Sequence, residues 1–290
     1  MSDKSGRVNG MQTMNWAALE KRVTEWIYEA GERIKGSFSD SLDVQTKSAY
    51  NDLVTNIDRA TEQFLIGQIR SVYPDHQIVS EEGFGDRPTT TDGFVWFVDP
   101  IDGTLNFVRQ KRFFAISIAV YQDGVGKAAF IYDVAADELF HCLAGKGVYR
   151  NNEQLQPIAE CTLKDAMIDL SMTWIKKNKR IDESVLNSII EQASGTRSYG
   201  AASLELAYVA CGMLNAYFTM RLAPWDFAAG ILLIQELGGK VTRVDGRQID
   251  LLAAKTSLLA ASGELHEWIA AHIRQQISEG KYVNEPNSVN

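Results

Sequence analysis

The chain has 290 residues, of which 45% are hydrophobic and 23% charged, and its formal net charge at pH 7 is −8. This length and composition are typical of a globular protein with a sizeable core, and the acidic balance disfavours general binding to nucleic-acid backbones. No stretch approaches the roughly 18 consecutive apolar residues of a membrane span. The opening MSDKSGRVNGMQTM lacks the apolar core of a secretory signal, and the three cysteines show no CxxC spacing. We therefore expect a cytoplasmic protein with reduced thiols.

The first half of the chain is predicted to form helices and a largely antiparallel sheet. Helical spacing of apolar residues predicts an amphipathic helix over 15–36. In DLVTNIDRATEQFLIGQI a short strand precedes a helix, and Thr55 and Asp58 form a T-x-x-D capping pattern. A short strand then leads into the SEEG loop, and GFVWFVDP is a further strand. Residues 113–151 show several short strands separated by Gly and Asp turns, which is typical of antiparallel pairing.

From about residue 160 onward, helices and strands are predicted to alternate. AMIDLSM and GTRSYG are predicted strands with a helix at about 181–192 between them, and ASLELAYVACGM is a helix before the strand NAYFTMRL. WDFAAGILLIQELGG is a helix closed by two glycines, followed by the strands KVTRV and SLLAAS and the helix ELHEWIAAHIRQQI. We expect two tightly packed halves, 1–160 and 161–290, with the second supplying Asp226 to a site between them.

The end of the strand GFVWFV carries two acidic residues close together. Asp99 and Asp102 are three positions apart, and two nearby carboxylates repel each other unless a proton or a cation lies between them. Gly103 and Thr104 follow directly and offer backbone N–H groups and a hydroxyl, which suit a phosphate group. The alternative is an Asp-Pro turn followed by a helix N-cap. The motif alone therefore leaves a phosphate site and a simple turn both open.

Further acidic residues stand at the ends of apolar elements. Taken singly, Glu81 and Glu82 in SEEG fit a solvated loop, Asp226 in PWDFAAG fits a capping acid, and Asp58 fits its capping box. Their shared position at element ends would let oxygen ligands converge in a cleft. The four histidines show no metal-binding spacing. An oxygen-only ligand set indicates Mg²⁺, with Mn²⁺ as a substitute.

These motifs together resemble the inositol monophosphatase family. DPIDGTLNF is similar to the first signature of that family and PWDFAAG to the second, with DLVTNID and SEEG in the expected order before the first. RSYGAASLELA is similar to the segment that faces the substrate ring. The resemblance extends over roughly residues 15–278. It implies a five-layered α-β-α-β-α sandwich, a lithium-sensitive and magnesium-dependent phosphomonoesterase, and a homodimer.

The resemblance also implies roles for individual residues. Thr104, hydrogen-bonded to Asp58, would orient or deprotonate the attacking water with Glu81 taking part, and Glu82 would lie beside the ligands. Asp99 would bridge two of the two or three ions. The expected metal ligands are Glu81, Asp99, the backbone carbonyl of Ile101, Asp102 and Asp226. The expected phosphate and substrate contacts are Lys47, Gly200, Ala201, Thr219, Arg221 and the N–H groups of Gly103 and Thr104.

The sequence departs from animal-type inositol monophosphatases where substrate choice is decided. Thr219 stands where those enzymes have a glutamate that bonds the ring hydroxyls, and Ala201 stands where they usually have threonine. The segment VRQKRFF brings Arg109, Lys111 and Arg112 behind the first signature. These cations fit either a solvated basic loop or a site for a second anionic group. The sequence therefore does not decide which phosphate ester is the substrate.

Three functions remain open on the sequence. The first is an inositol-1-monophosphatase with breadth toward other sugar phosphates. The second is a related phosphatase acting on fructose 1,6-bisphosphate, NADP(H) or 3′-phosphoadenosine 5′-phosphate, which the basic loop and Arg221 would suit. The third is a non-catalytic regulatory or binding protein that retains the fold. The third predicts loss of metal ligands, whereas every expected carboxylate is present. We expect a small phosphorylated substrate and neither a nucleic-acid nor a membrane partner.

Overall fold

The computed structural model describes residues 14–39, 43–46 and 53–286. The α-helices in these ranges are α1 Trp16–Gly36, α2 Asn56–Val72, α3 Thr104–Gln110, α4 Met172–Ile175, α5 Glu183–Ile190, α6 Ala202–Ala210, α7 Pro224–Glu236 and α8 Gly263–Ser278. The β-strands are β1 Val44–Thr46, β2 Leu53–Thr55, β3 Gln77–Ser80, β4 Phe94–Asp102, β5 Ala115–Gln122, β6 Val125–Asp133, β7 Glu138–Leu143, β8 Val148–Arg150, β9 Glu153–Gln154, β10 Met167–Leu170, β11 Gly195–Arg197, β12 Ala216–Leu222, β13 Lys240–Thr242 and β14 Thr256–Ala261.

The strands form two main sheets and one small pair. A seven-stranded sheet has the order β3-β4-β5-β6-β7-β8-β9, and its pairs are antiparallel except β3 with β4. A five-stranded sheet has the order β11-β10-β12-β14-β13 and mixes parallel with antiparallel pairs. Strands β1 and β2 pair separately. The prediction of a largely antiparallel sheet in the first half is confirmed.

Three clusters of buried side chains hold the layers together. The first joins α1 and α2 to one face of the seven-stranded sheet. The second joins the other face of that sheet to α6 and α7, and α6 and α7 to the five-stranded sheet. The third joins the outer face of the five-stranded sheet to α5 and α8. This order confirms the predicted five-layered α-β-α-β-α sandwich.

The two middle helices are apolar on all sides because both of their faces are covered by sheets. All nine residues of α6 are buried, and α7 is buried from Phe227 to Ile234. The two helices approach closely at Gly230, where a Cβ atom would lie 2.4 Å from Leu206 Cβ. Burying one leucine of this layer contributes about 2 kcal/mol to stability. A side chain at Gly230 would force the two helices apart.

Some boundaries differ from the sequence predictions because capping residues end the strands early. The AMIDLSM strand ends at Leu170, and Ser171 caps α4 by accepting a hydrogen bond from Thr173 N at 3.2 Å. The GTRSYG strand ends at Arg197, before Gly200 adopts a left-handed φ of 81°. No helix in the described part of the chain is long and apolar enough to cross a membrane. The division at residue 160 falls between the two sheets and stays a prediction.

Candidate active site

A bulge at the end of β4 brings two carboxylates toward the same place. Asp99 pairs with Ser117 of β5 and Asp102 pairs with Ala115, so β4 has one extra residue between these pairs. Bulges re-aim side chains at the end of a strand. The backbone N–H of Ile101 donates to Asp99 Oδ1 at 3.0 Å, which holds that carboxylate against the turning backbone. The DPID sequence therefore forms a bulged strand end whose backbone is hydrogen-bonded to the side chain of Asp99.

Four acidic side chains converge at this strand end. The carboxylates of Asp99, Asp102 and Asp226 offer oxygens that all lie within 4.8 Å of one another. Asp226 is in the first turn of α7, where its Oδ2 accepts a hydrogen bond from Ala223 N at 2.7 Å. Glu81, in the loop after β3, makes a side-chain contact with Asp99. The structure thus brings together four carboxylates that the sequence placed at the ends of three elements.

The mutual repulsion of the carboxylates in the cluster favours the binding of a cation. Burial, followed by the charges of Glu81, Asp102 and Asp226, raises the pKa of Asp99 well above its usual range. Burial is also the main cause that raises the pKa of Asp102 to about 6 and of Asp226 to about 8. Lys255 opposes the shift of Asp226 with its positive charge. Grouped carboxylates with these shifts fit a hard divalent cation with oxygen ligands such as Mg²⁺.

Ser203 fixes the orientation of Asp102. Its backbone N–H and its hydroxyl both donate to Asp102 Oδ2, at 2.6 Å and 2.5 Å. Ser203 lies in the first turn of α6, where the exposed N–H groups and the helix dipole favour a negative charge. Ser203 did not stand out in the sequence. Its position inside RSYGAASLELA, at the start of a helix, was the only available signal.

Glu62 holds the loop that carries Glu81. It is fully buried in α2 and accepts hydrogen bonds from Ser80 Oγ at 2.7 Å, Glu82 N at 2.7 Å and Phe84 N at 3.0 Å. These bonds set the path of the backbone on both sides of Glu81. Glu62 did not stand out in the sequence either. A charged residue on the buried face of an amphipathic helix was the signal that could have found it.

Asp58 and Thr104 form a hydrogen-bonded pair beside the cluster. Asp58 Oδ2 accepts from Thr55 N at 2.9 Å and Thr55 Oγ1 at 2.5 Å, which completes the capping box of α2. Its other oxygen, Oδ1, lies 3.0 Å from Thr104 Oγ1, and the carbonyl of Ile101 is a second acceptor for that hydroxyl at 3.2 Å. Burial raises the pKa of Asp58. The pair can therefore hold or receive a proton next to the carboxylates.

A polar cavity of about 230 Å³ opens next to the cluster. Its walls include Asp102, Asp226, Gly200, Glu205, Tyr217 and Thr219. Gly103, which follows Asp102, has a left-handed φ of 86°, and a Cβ atom there would lie 2.9 Å from the Cβ of Ala201. Thr219 Oγ1 accepts a hydrogen bond from Trp174 Nε1 at 3.3 Å. Of the predicted contacts, Gly200 and Thr219 thus line this cavity, and Gly103 and Ala201 lie against each other next to Gly200.

A second cavity of about 400 Å³ is lined in part by Glu81. Pro88, Pro224 and Trp225 form apolar walls, and Arg87 is at its edge. The ammonium of Lys255 packs over the ring of Trp225 at 5.7 Å from the centroid. Glu81 therefore borders a second, larger cavity that is separate from the polar one.

The remaining predicted contacts do not join the polar cavity. Arg221 is exposed on β12 and is not among the residues lining it. In the basic loop, Arg109 is exposed, Lys111 donates to the carbonyl of Phe38, and Arg112 packs over Phe113. These contacts fit the solvated-loop interpretation. Lys47 lies outside the described residues.

Comparison with known proteins gives consistent matches over most of the chain. The model of the inositol monophosphatase family matches residues 16–278. The chain is 48% identical over 255 residues to the inositol-1-monophosphatase of Bacillus subtilis (strain 168), covering 88% of this chain and 96% of that protein. It is 32% identical over 254 residues to the Nus factor SuhB of Escherichia coli (strain K12), covering 87% and 94%.

Solved structures give the same result for the fold. The structure of SaIMPase-II with inositol monophosphate bound matches with a TM-score of 0.81 and 37% identity, covering 91% of this chain and 96% of that one. The same protein with 2′-AMP bound matches with a TM-score of 0.80 and 39% identity, covering 90% and 99%. The match therefore includes both sheets and all three helical layers.

Proposed function

The chain belongs to the inositol monophosphatase family and is a phosphomonoesterase, and we propose that it hydrolyses inositol monophosphate with magnesium as cofactor. The observation that supports this most directly is the cluster of buried Asp99, buried Asp102 and half-buried Asp226 beside a polar cavity. The 48% identity with the Bacillus subtilis inositol-1-monophosphatase supports the choice of substrate.

The metal ligands would be the carboxylates of Glu81, Asp99, Asp102 and Asp226 and the backbone carbonyl of Ile101. Two or three Mg²⁺ ions, with Mn²⁺ as a substitute, would lower the pKa of a water, offset the phosphate charge and stabilise the leaving oxygen. Lithium would inhibit by competing for one of these positions. The fit of the site to such ions is supported by the raised pKa values of its buried carboxylates.

Thr104 and Asp58 would direct the attacking water. The hydroxyl of Thr104 donates to Asp58, so its oxygen can accept a hydrogen bond from water. A proton from that water can pass to Thr104 Oγ1 while the hydroxyl proton of Thr104 passes to Asp58 Oδ1. The raised pKa of Asp58 supports this role, because it makes the carboxylate a better proton acceptor. Glu81, whose charge acts on Asp58, would take part in the same step.

The polar cavity would take the phosphate and the alcohol of the substrate. The N–H groups of Gly103 and Thr104 would hold the phosphate, and Lys47 would add a positive charge. Gly200, Ala201 and Thr219 would contact the ring. Thr219 has a short side chain whose hydroxyl accepts a hydrogen bond from Trp174. Because this side chain is neutral, it cannot make the charged contact with a ring hydroxyl that a glutamate would make. We therefore propose broad acceptance of sugar phosphates around inositol monophosphate.

A larger substrate is the second candidate. The cavity walled by Pro224 and Trp225 adjoins Glu81 and could receive the remote part of a nucleotide or a bisphosphate. SaIMPase-II has been solved with 2′-AMP bound, which supports keeping nucleotides among the candidates. Arg221 and the basic loop would contribute only if they moved toward the substrate. Fructose 1,6-bisphosphate, NADP⁺ and 3′-phosphoadenosine 5′-phosphate are the compounds to compare.

The third alternative of the sequence was a regulatory protein without catalysis. A relative with 32% identity is the Nus factor SuhB, but the family assignment makes this chain a phosphomonoesterase. The complete carboxylate set supports the enzyme instead. Binding to a partner that survives Asp226→Asn, together with no phosphate release from the unmodified protein, would favour regulation. We also propose a cytoplasmic homodimer, and the free state of Cys142, Cys161 and Cys211 fits a reducing compartment.

A panel of substrates tests the proposed function. Phosphate release is measured with saturating Mg²⁺ from inositol 1-phosphate and the three larger phosphates, each with and without EDTA. The highest kcat/KM with inositol 1-phosphate, abolished by EDTA, is the expected result. A higher kcat/KM with a nucleotide would move the assignment to the second candidate. No release from any compound would contradict an enzymatic role on these substrates.

A further inference from the structure

Two buried acids lie close to the polar cavity and have no role in the metal cluster. Asp169 on β10 is 1% exposed and Glu205 on α6 is 4% exposed. Their carboxyl groups lie within hydrogen-bonding range of each other. Among the described residues, neither oxygen of Asp169 meets an N–H or O–H donor with good geometry. The polar neighbours of Asp169 are therefore the carboxyl group of Glu205 and the backbone N–H of Tyr199, whose well-aligned hydrogen bond goes to Glu205.

A proton between the two carboxyl groups would satisfy both. Two ionised carboxylates at this separation repel each other, and a buried carboxylate without a donor is costly. If one group is protonated, it donates to the other and the repulsion becomes a hydrogen bond. The pKa shifts agree, because burial raises the pKa of Asp169 to about 6 and raises that of Glu205 well above its usual range.

Glu205 is also the anchor of a loop. Its Oε1 accepts hydrogen bonds from the backbone N–H groups of Tyr199 and Gly200, at 2.9 Å and 2.6 Å. The hydroxyl of Tyr217 makes a further side-chain hydrogen bond to Glu205. Glu205 thus ties the residues just before α6 back onto the helix itself.

The loop that Glu205 anchors borders the polar cavity through Gly200. The carbonyl of Tyr199 accepts from Asn106 Nδ2 at 2.7 Å, which ties the loop to α3. A Cβ atom on Gly103 would lie 2.9 Å from the Cβ of Ala201 and 3.4 Å from the carbonyl oxygen of Gly200. A shift of the loop by a few tenths of an ångström would therefore change the space in front of Gly103.

We propose that Asp169 and Glu205 share one proton and act together as positioning residues that fix the loop Tyr199–Ala201 against Gly103. Neither residue touches the reacting atoms. Their role is to set the width of the phosphate end of the pocket through the backbone N–H groups that Glu205 holds. The functional part of this inference rests on the proposed phosphatase function. The shared proton and the loop position do not depend on it.

Paired variants of the full-length, Mg²⁺-loaded protein test the positioning role. Glu205→Ala removes the acceptor for both N–H groups and is expected to raise KM for inositol 1-phosphate by about tenfold, with a smaller fall in kcat. Glu205→Gln and Asp169→Asn replace the shared proton with an amide N–H, so both are expected to stay within about threefold of the unmodified KM. An unchanged KM in Glu205→Ala would overturn the proposal.

Glu236 provides a matched control. Its carboxylate also accepts two backbone N–H groups of a loop, from Gly145 and Gly147, each at 3.0 Å. Glu236→Ala is expected to lose stability without changing KM, since that loop does not line the polar cavity. An equal rise of KM in Glu205→Ala and Glu236→Ala would mean that the effect is general loosening, and it would overturn the positioning role.

Two readouts without substrate separate this inference from the proposed function. In the infrared spectrum of the Mg²⁺-loaded protein, the carbonyl stretch of a protonated carboxyl group should disappear in Asp169→Asn. The band should persist in Asp133→Asn, a control acid bonded by the N–H groups of Ala135 and Ala136. Amide hydrogen exchange at Tyr199 and Gly200 should be faster in Glu205→Ala. An unchanged band or unchanged exchange would overturn the inference even if phosphate release is normal.

Discussion

Ser203 donates two hydrogen bonds to one oxygen of Asp102, from its backbone N–H at 2.6 Å and from its hydroxyl at 2.5 Å. The two residues are 101 positions apart in the chain, and they join the end of β4 to the start of α6. A carboxylate of the first sheet is therefore oriented by a helix of the middle layer. The packing of the layers and the geometry of the candidate metal site are thus linked through one side chain.

Ser203→Ala should weaken metal binding more than chemistry. The variant keeps the backbone N–H bond to Asp102 and loses the hydroxyl bond, so the carboxylate is held less firmly. We expect the Mg²⁺ concentration for half-maximal activity to rise by about tenfold while kcat at saturating Mg²⁺ changes little. A Mg²⁺ titration of phosphate release measures this.

Ser257→Ala is the matched control for that titration. Ser257 Oγ donates at 2.5 Å to Glu285, a buried carboxylate outside the metal cluster. This control should affect stability and leave the Mg²⁺ requirement unchanged. If both serine variants shift the titration equally, the bond to Asp102 has no specific effect on the metal.

Asp226→Asn should separate activity from stability. The variant removes one of three grouped carboxylates, so kcat/KM should fall by at least about a hundredfold. In EDTA the same variant should melt at a higher temperature than the unmodified protein, because it replaces an acid that the charges of Asp102 and Glu81 repel with a neutral amide. Calorimetry in EDTA and phosphate release in Mg²⁺ measure the two effects. Near-normal turnover would contradict the metal role of Asp226.

Thr104→Ala should lower turnover more than substrate affinity. The hydroxyl lies 3.0 Å from Asp58 Oδ1, in the position to pass on a proton from the attacking water. We expect kcat to fall on the order of a hundredfold and KM to change by less than about threefold. Thr104→Ser retains the hydroxyl and should recover most of kcat. A change of KM alone would show that the hydroxyl serves binding only.

The free energy of unfolding should fall in mild acid because the fold holds His76 in its neutral form. Its ring stacks between Tyr73 and Phe94, with centroids at 4.9 Å and 4.3 Å, and its Nδ1 accepts from Trp96 Nε1 at 2.9 Å. Burial lowers the pKa of His76 to about 4. The unfolded chain, with a histidine pKa of about 6.5, therefore takes up the proton first, and stability falls as the pH drops from about 6.5 toward about 4.

The comparison of unmodified protein with His76→Gln isolates this histidine. Glutamine can still accept from Trp96 and does not titrate, so the loss of stability between about pH 7.5 and pH 5 should be smaller in the variant. Urea unfolding followed by tryptophan fluorescence measures the free energy of unfolding at both pH values. Equal losses in the two proteins would mean that His76 does not contribute to the acid sensitivity.

Local features were predictable from the sequence because they depend on residues a few positions apart. The helical spacing of Leu19, Val23 and Ile27 predicted α1, and Thr55 with Asp58 predicted the capping box of α2. The acids of DPIDGT and PWDFAAG stood visibly at the ends of apolar elements. Hydrogen bonds within helices and caps span three or four residues, so a short stretch of sequence contains both partners.

The partners that orient the site were decided only by the tertiary structure. Glu62 holds the loop around Glu81 from another element, and Ser203 holds Asp102 across 101 residues. The meeting of Asp169 with Glu205 likewise depends on α6 packing against the five-stranded sheet. The chain by itself determined the helices, the strands and the kind of chemistry. Which buried polar groups share a hydrogen bond was decided by the stacking of five layers, because only that packing removes water and brings distant residues into contact.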